Sequence, residues 1–330
     1  MFRLFLAATL SLAGVASAQT HGEVAQIVVD QHILPGFAAF DQAATPLAEA
    51  SCAEMRPVYD AAFDGWMGVS HLRFGPTELD ERGFALAFWP DTRGATPATL
   101  RALIADEDPI IASEYSDVSI AARGFFALDW LLFDTDAPVM EPGTYPCALA
   151  EAIARDIANI AEALHFTWQK EAVLLTTAGA EENFFYLDDE EVVRTLFSAV
   201  LVGLEITIEK RLGRPLGTFE RPRPRRAEAW RSARSLPNIV GSMTALRDLA
   251  NPFLAFIPEE EADRINAAWD ATLRTANNTA DPTLAIVATP EGRVHVEAIQ
   301  SQLTGVHDML ETIVGPALGV SQSFNALDGD

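Results

Sequence analysis

The stretch Ser119–Phe133, SIAARGFFALDWLLF, decides how the chain is read. Between Gly124 and Phe133 its only charged side chain is Asp129, set among Phe125, Phe126, Leu128, Trp130, Leu131, Leu132 and Phe133. A segment apolar on every side has no face to turn to water, so it is buried as a helix or a central strand. The acid carried in with it is costly unless it meets a cation, a metal or hydrogen-bond donors, or keeps its proton. Asp129 is therefore the residue to explain.

The flanking segments make the helix the better choice. Upstream, Met55, Val58, Tyr59, Ala62, Phe63 and Trp66 recur at helical spacing over Met55–Arg73, and Val24, Ile27, Val28, His32, Ile33, Phe37, Phe40, Ala44 and Leu47 do so over Glu23–Ala53. Pro35 is expected to kink or divide that first helix. Short helices are predicted over Pro97–Ala105 and Pro109–Tyr115, and a long one from Cys147 to Thr177 with Ile153, Ile157, Ile160, Leu164 and Trp168 in one stripe. Helical patterns follow from Asp188 to Leu212 and, after the Pro- and Gly-rich break at 213–224, over 228–234, 238–256, 258–278 and 292–313. Strand-like alternation is nearly absent. The expectation is an all-α chain of long antiparallel helices, as two helical-bundle domains packed side by side, 22–185 and 186–330.

Residues 1–18 read as a cleaved export signal, with Arg3 before the apolar run Leu4–Val15 and Ala16-Ser17-Ala18 as the cleavage site. No later run suits a membrane span, so a periplasmic location is expected. Formal charge is −24 over 330 residues, and losing the signal with its single arginine leaves −25. Such a chain repels nucleic acid and anionic lipid. In an exported protein the two cysteines, Cys52 and Cys147, are expected to pair, in preference to a two-cysteine metal site. Closing that loop stabilises by roughly 4–5 kcal/mol on the chain-entropy model, as an upper figure.

Several constellations carry chemistry if the fold assembles them. Asp60, Asp64 and His71 share one face of an uninterrupted helix and could hold a divalent metal, the plain alternative being a solvated surface. His307 and Glu311 stand at i, i+4. Arg221, Arg223, Arg225, Arg226, Arg231 and Arg234, with Trp230 among them, form a basic island in an acidic protein. Either they pair with surface acids, or one or two turn inward toward Asp129 or an anionic ligand. No G-x-S-x-G, H-E-x-x-H, Walker or Rossmann signature is present.

The decisive stretch resembles a segment of the imelysin family, exported bacterial proteins in which it carries G-x-H-x-x-E. Supporting matches are Trp66 with Leu72-Arg73-Phe74-Gly75-Pro76, Leu212-Gly213-Arg214-Pro215-Leu216, and WRSARSLPN at 230–238. The resemblance implies two helical bundles, a functional site at their interface, and a link to iron uptake or periplasmic metal handling. The family carries a peptidase label. Here the motif histidine position is Phe126 and the motif glutamate position is Asp129. Phenylalanine neither ligates a metal nor moves a proton.

The expected function is thus a non-proteolytic, imelysin-like protein that binds a small ligand or metal complex in an interdomain cleft. Gly124, Phe126 and Asp129 stand on the motif helix, with Trp66, His71, Arg73, Trp230, Ser235 and Asn238 as further contributors and Asp129 as the candidate metal ligand. A divalent metal or iron is the implied cofactor, and other periplasmic iron-handling proteins are the implied partners. The alternatives are a metal-dependent peptidase using His71 or His307, and a structural or partner-binding protein whose motif has become core.

Overall fold

The structure, a computed structural model, describes residues 19–107, 109 and 115–320. The signal segment and most of the short helix expected over Pro109–Tyr115 lie outside the described residues. Among the described residues every regular element is helical, and extended pairing amounts to one isolated bridge between Thr218 and Arg221. The all-helical expectation holds.

The first helix enters through a capping box, with Thr20 and Glu23 satisfying each other's backbone N–H groups, and runs as α1 (His21–Val28). A π-helical segment, Val29–Ile33, joins it to α2 (Leu34–Glu49). This is how the chain passes Pro35: the extra residue in the preceding turn absorbs the missing donor and the crowding of the ring. Next comes α3 (Met55–Met67), which stops at Gly68, so His71 lies in a turn beyond it. Short α4 (Arg82–Leu86) and α5 (Ala95–Asp106) lead to the apolar helix α6 (Gly124–Phe133) and the long α7 (Tyr145–Glu171), with α8 (Val173–Thr176) after it.

The later part begins with α9 (Asp189–Glu205), capped by the Asp188 carboxylate, and continues as a π-helix, Ile206–Leu212, into α10 (Gly213–Leu216). Then come α11 (Ser235–Ala250), α12 (Glu259–Asn277), α13 (Pro290–Met309) and α14 (Gly315–Ala317). Between α10 and α11 the sequence pattern predicts a helix over 228–234, and the structure shows turns instead. Ala229 and Ala233 take positive φ, 45° and 59°, which no α-helix accommodates. A helix there would spend the Ser232 N–H internally, whereas the turn frees it to reach another part of the chain.

Packing follows the apolar faces. α2 lies against α7 and α3, and α6 is wedged between α7, α5 and α3 with Gly124–Leu132 entirely buried. Phe63 of α3 stacks on Phe125 of α6 at 4.5 Å, and Tyr59 meets the same ring edge-on at 6.0 Å. α1 packs on α9, and α11 packs on α9, α12 and α3, so the apolar core is continuous across them. Cys52 and Cys147 form the expected disulfide, tying the α2–α3 connection to the start of α7.

Candidate functional site

The motif helix is held at both ends. At its start Gly124 has φ 71° and lies so close to Ala85 and Leu86 that a β-carbon would overlap their carbonyl oxygens, so glycine is required for this approach. The preceding Arg123 forks onto Asp156 of α7, with Nε and Nη2 at 2.9 and 2.8 Å from its two oxygens. Farther along, Asp129 is 1% exposed. It accepts the Ser232 backbone N–H at 3.2 Å, and Arg231 Nη1 stands 3.9 Å away while its Nε is given to Asp134. Burial pushes the Asp129 pKa up to about 6, against the pull of Ser232 and the Arg231 charge.

The turn that supplies Ser232 also organises a buried ionic chain. Arg211, on the π segment after α9, donates to Glu228 at 2.8 Å and to Thr207 and Ser242 at 3.2 Å. Asn238 donates to Glu228 at 3.2 Å and accepts from Arg234 at 3.1 Å. Arg234 then reaches Asp60, at 3.1 Å, and Asp64 on α3. Such a chain, each charge paired, fixes the position of α3 against α11 and the 228–234 turn.

Asp60, Asp64 and His71 accordingly do not form one face. The helix that would align them ends at Met67, leaving the two largely exposed carboxylates to Arg234 and turning His71 inward, 3% exposed. There its Nε2 lies 2.7 Å from His32 Nε2, and its Nδ1 has no partner. Burial lowers the pKa of both rings, that of His32 to about 4, so one neutral imidazole donates to the other. Gly203 of α9 lets this arrangement close, since a β-carbon on it would stand 3.0 Å from His71 Cβ.

Two clefts flank these groups and share Trp89. One, about 920 Å³ with its open mouth, is lined by Trp66, His71, Arg73, Trp89, Lys210 and Arg211 among others. The other, about 680 Å³ on the same measure, has Phe126, Trp130 and Trp230 on its walls with Arg214, Arg225 and Arg231. The predicted contributors are thus divided: Trp66, His71 and Arg73 at the first cleft, Phe126 and Trp230 at the second. Asp129, Ser235 and Asn238 are buried, and Gly124 serves the close approach to Ala85 and Leu86. Phe126 meets Phe63 edge-on at 5.8 Å and stacks on Trp89 at 6.2 Å.

The sequence places His32 only in the stripe of the first helix and singles out none of Trp89, Arg211 and Glu228. Arg211 and Glu228 flank the motif-like 212–216 element and the basic island, and that proximity was the available signal. His32 had none, because its partner lies 39 residues away.

A metal at Asp129 fits poorly. The carboxylate faces Ser232 and a guanidinium, and among the described residues Asp129 belongs to no group of three His, Cys, Asp or Glu ligand atoms. Elsewhere, His307, Asp308 and Glu311 bring ligand atoms within 4.8 Å of one another. His307 Nε2 also stands 3.7 Å from Glu205, which lines the first cleft.

What fold and site define is an all-helical protein with a buried carboxylate on its motif helix and two aromatic-walled clefts that share Trp89. The imelysin family matches residues 32–310, and the chain belongs to that family. It is 24% identical over 345 residues to iron-regulated protein A of Synechococcus elongatus, covering 94% of this chain and 90% of that protein. An imelysin-like protein from Psychrobacter arcticum superposes with a TM-score of 0.78 at 17% identity, covering 93% of this chain and 98% of that one. An iron-regulated protein A precursor from Parabacteroides distasonis gives 0.64 at 14% identity, covering 92% and 97%. At these identities the solved structures speak to the fold. No described helix is long and apolar enough to cross a membrane.

Proposed function

We propose that this chain is an exported, periplasmic, non-proteolytic member of the imelysin family that takes up a small ligand or a metal complex beside the motif helix. In this reading the halves 22–185 and 186–330 act as two bundles, and the paired clefts lie where they meet. Asp129 carries the reading: a buried carboxylate held by Ser232, with its guanidinium 3.9 Å away and turned to Asp134, retains hydrogen-bonding capacity that a ligand can satisfy. The iron-regulated names of two relatives favour an iron-related cargo. Because Phe126 offers no ligand atom and Asp129 faces donors, iron would arrive within its complex rather than on a protein-built centre.

Titration calorimetry with ferric complexes, and metal analysis of the purified protein, test this on wild type and Asp129→Asn. The expected outcome is a loss of affinity of about 10-fold or more in the variant, the worth of one charged hydrogen bond. Unchanged affinity would remove Asp129 from the site.

A further inference from the structure

Acids outnumber cations in this chain, which carries 47 aspartates and glutamates against 23 lysines and arginines. Most buried guanidinium groups are therefore matched: Arg123 to Asp156, Arg211 to Glu228, and Arg234 to Asp60 and Asp64. In the Trp89–Trp230 cleft the cations are less buried, Arg214 partly and Arg225 and Arg226 exposed, and they are unmatched. Arg214, Arg225 and Arg226 line it, and among the described residues no carboxylate comes within 4.0 Å of any of the three. The fourth arginine there, Arg231, is taken by Asp134 and Asp129. Asp91, the cleft's own acid, spends its oxygens on the backbone N–H groups of Arg93, Ala95 and Thr96.

Two further donors point the same way. Thr96 is 5% exposed, lines this cleft, and its hydroxyl has no hydrogen-bond partner; nor does the buried Nε of Arg214. Buried polar groups left unsatisfied are uncommon and call for a partner. The aromatic walls pin the cations in place, with Arg214 at 5.7 Å over Trp89 and Arg225 and Arg231 at 5.5 and 4.7 Å over Trp230. Stacking occupies the guanidinium faces and leaves their N–H edges for an oxyanion. Burial and then the Arg226 charge lower the Arg214 pKa, as expected of cations crowded without a counter-charge.

We infer that the Trp89–Trp230 cleft is a binding site for a small polyanion, a carboxylate or phosphate of two or more charges, held by Arg214, Arg225 and Arg226 with the Thr96 hydroxyl. The inference rests on the proposed function for its use of this cleft and adds the ligand's charge and its anchoring residues. A compact ligand suits a cleft of this size, and the negative charge elsewhere on the chain disfavours a long polyanion.

The test is titration calorimetry on the mature chain at low ionic strength, with citrate and with inorganic phosphate as separate probes. Wild type should bind at least one with a Kd of about 1 mM or tighter, citrate alone marking a carboxylate ligand and phosphate alone a phosphate. The double variant Arg225→Gln/Arg226→Gln should lose about 10-fold or more, and Lys170→Gln, whose ammonium sits over Phe166, should bind as wild type does. Arg225 and Arg226 are exposed, so their replacement spares the fold, which the melting temperature without anion verifies. Failure of both anions to bind wild type, or equal binding by the double variant, overturns the inference. Ferric citrate binding that the double variant keeps and Asp129→Asn loses would overturn it while leaving the proposed function standing. Anion binding lost in the double variant and kept in Asp129→Asn supports it, even if no iron complex binds.

Discussion

Asp156 and Asp129 are two aspartates buried almost equally, at 6% and 1% exposure; Asp156 on α7 pairs with the residue just before α6, and Asp129 is carried by α6 itself. Asp156 receives a forked guanidinium at 2.8 and 2.9 Å, so both its oxygens are matched by a fixed cation. Asp129 receives one backbone N–H at 3.2 Å and sees its arginine at 3.9 Å, because that arginine is turned to Asp134. Burial costs both carboxylates alike, so what differs is whether the cation is aimed. The first is a structural clamp; the second is buried with no cation aimed at it.

The largest effect that would break this comparison comes from Arg123→Ala. It leaves Asp156 buried without a cation and should destabilise the fold by about 3–5 kcal/mol in urea denaturation. A loss below about 1 kcal/mol would show that the clamp is as loosely held as Asp129.

The next concerns pH. In the folded chain the Asp129 pKa lies near 6, above its ordinary value of 3.8, so folding favours the protonated acid. That contribution is fully present below the unfolded value and is lost as pH rises through the folded one. Between about pH 4 and pH 7, Asp129→Asn should therefore gain stability relative to wild type, by up to an amount on the order of 3 kcal/mol. A difference that stays flat with pH would mean that Asp129 ionises as an exposed acid does.

The smallest effect sharpens the account of Arg231. Its charge pulls the Asp129 pKa down, so Arg231→Gln should move the carboxyl titration, followed by carbon-13 NMR, to higher pH. Asp134, held below its usual range by the same arginine against the effect of its burial, should move upward too. If only Asp134 moves, Arg231 does not act on Asp129.

Much of this architecture was legible in the residues. Helical periodicity identified α3, α7, α9 and α13, since spacing of apolar side chains is a local property that packing then exploits. The all-apolar helix around Asp129 announced its own burial, and two cysteines in a chain read as exported led to the disulfide. Legibility ended where a residue's role depended on something distant. The pattern of α3 runs on past Met67, but the chain turns there, so the expected Asp60–Asp64–His71 face dissolved into an arginine pair and a histidine pair. The 228–234 segment has helical composition, yet its N–H groups and charges are used by α3, α6 and the π segment after α9.

By itself the sequence determined the helical class, the covalent cross-link, the family and the isolation of one acid in an apolar helix. The helical class and the lone acid follow from composition and spacing within single elements, the cross-link from there being two cysteines in a chain read as exported, and the family from the resemblance of several motifs along the chain. Only the tertiary structure decided which arginines meet acids and which stay open, and how the predicted contributors divide between two clefts joined at Trp89. A guanidinium reaches several possible partners, and its choice is made by backbone turns and burial that assemble residues far apart in the chain.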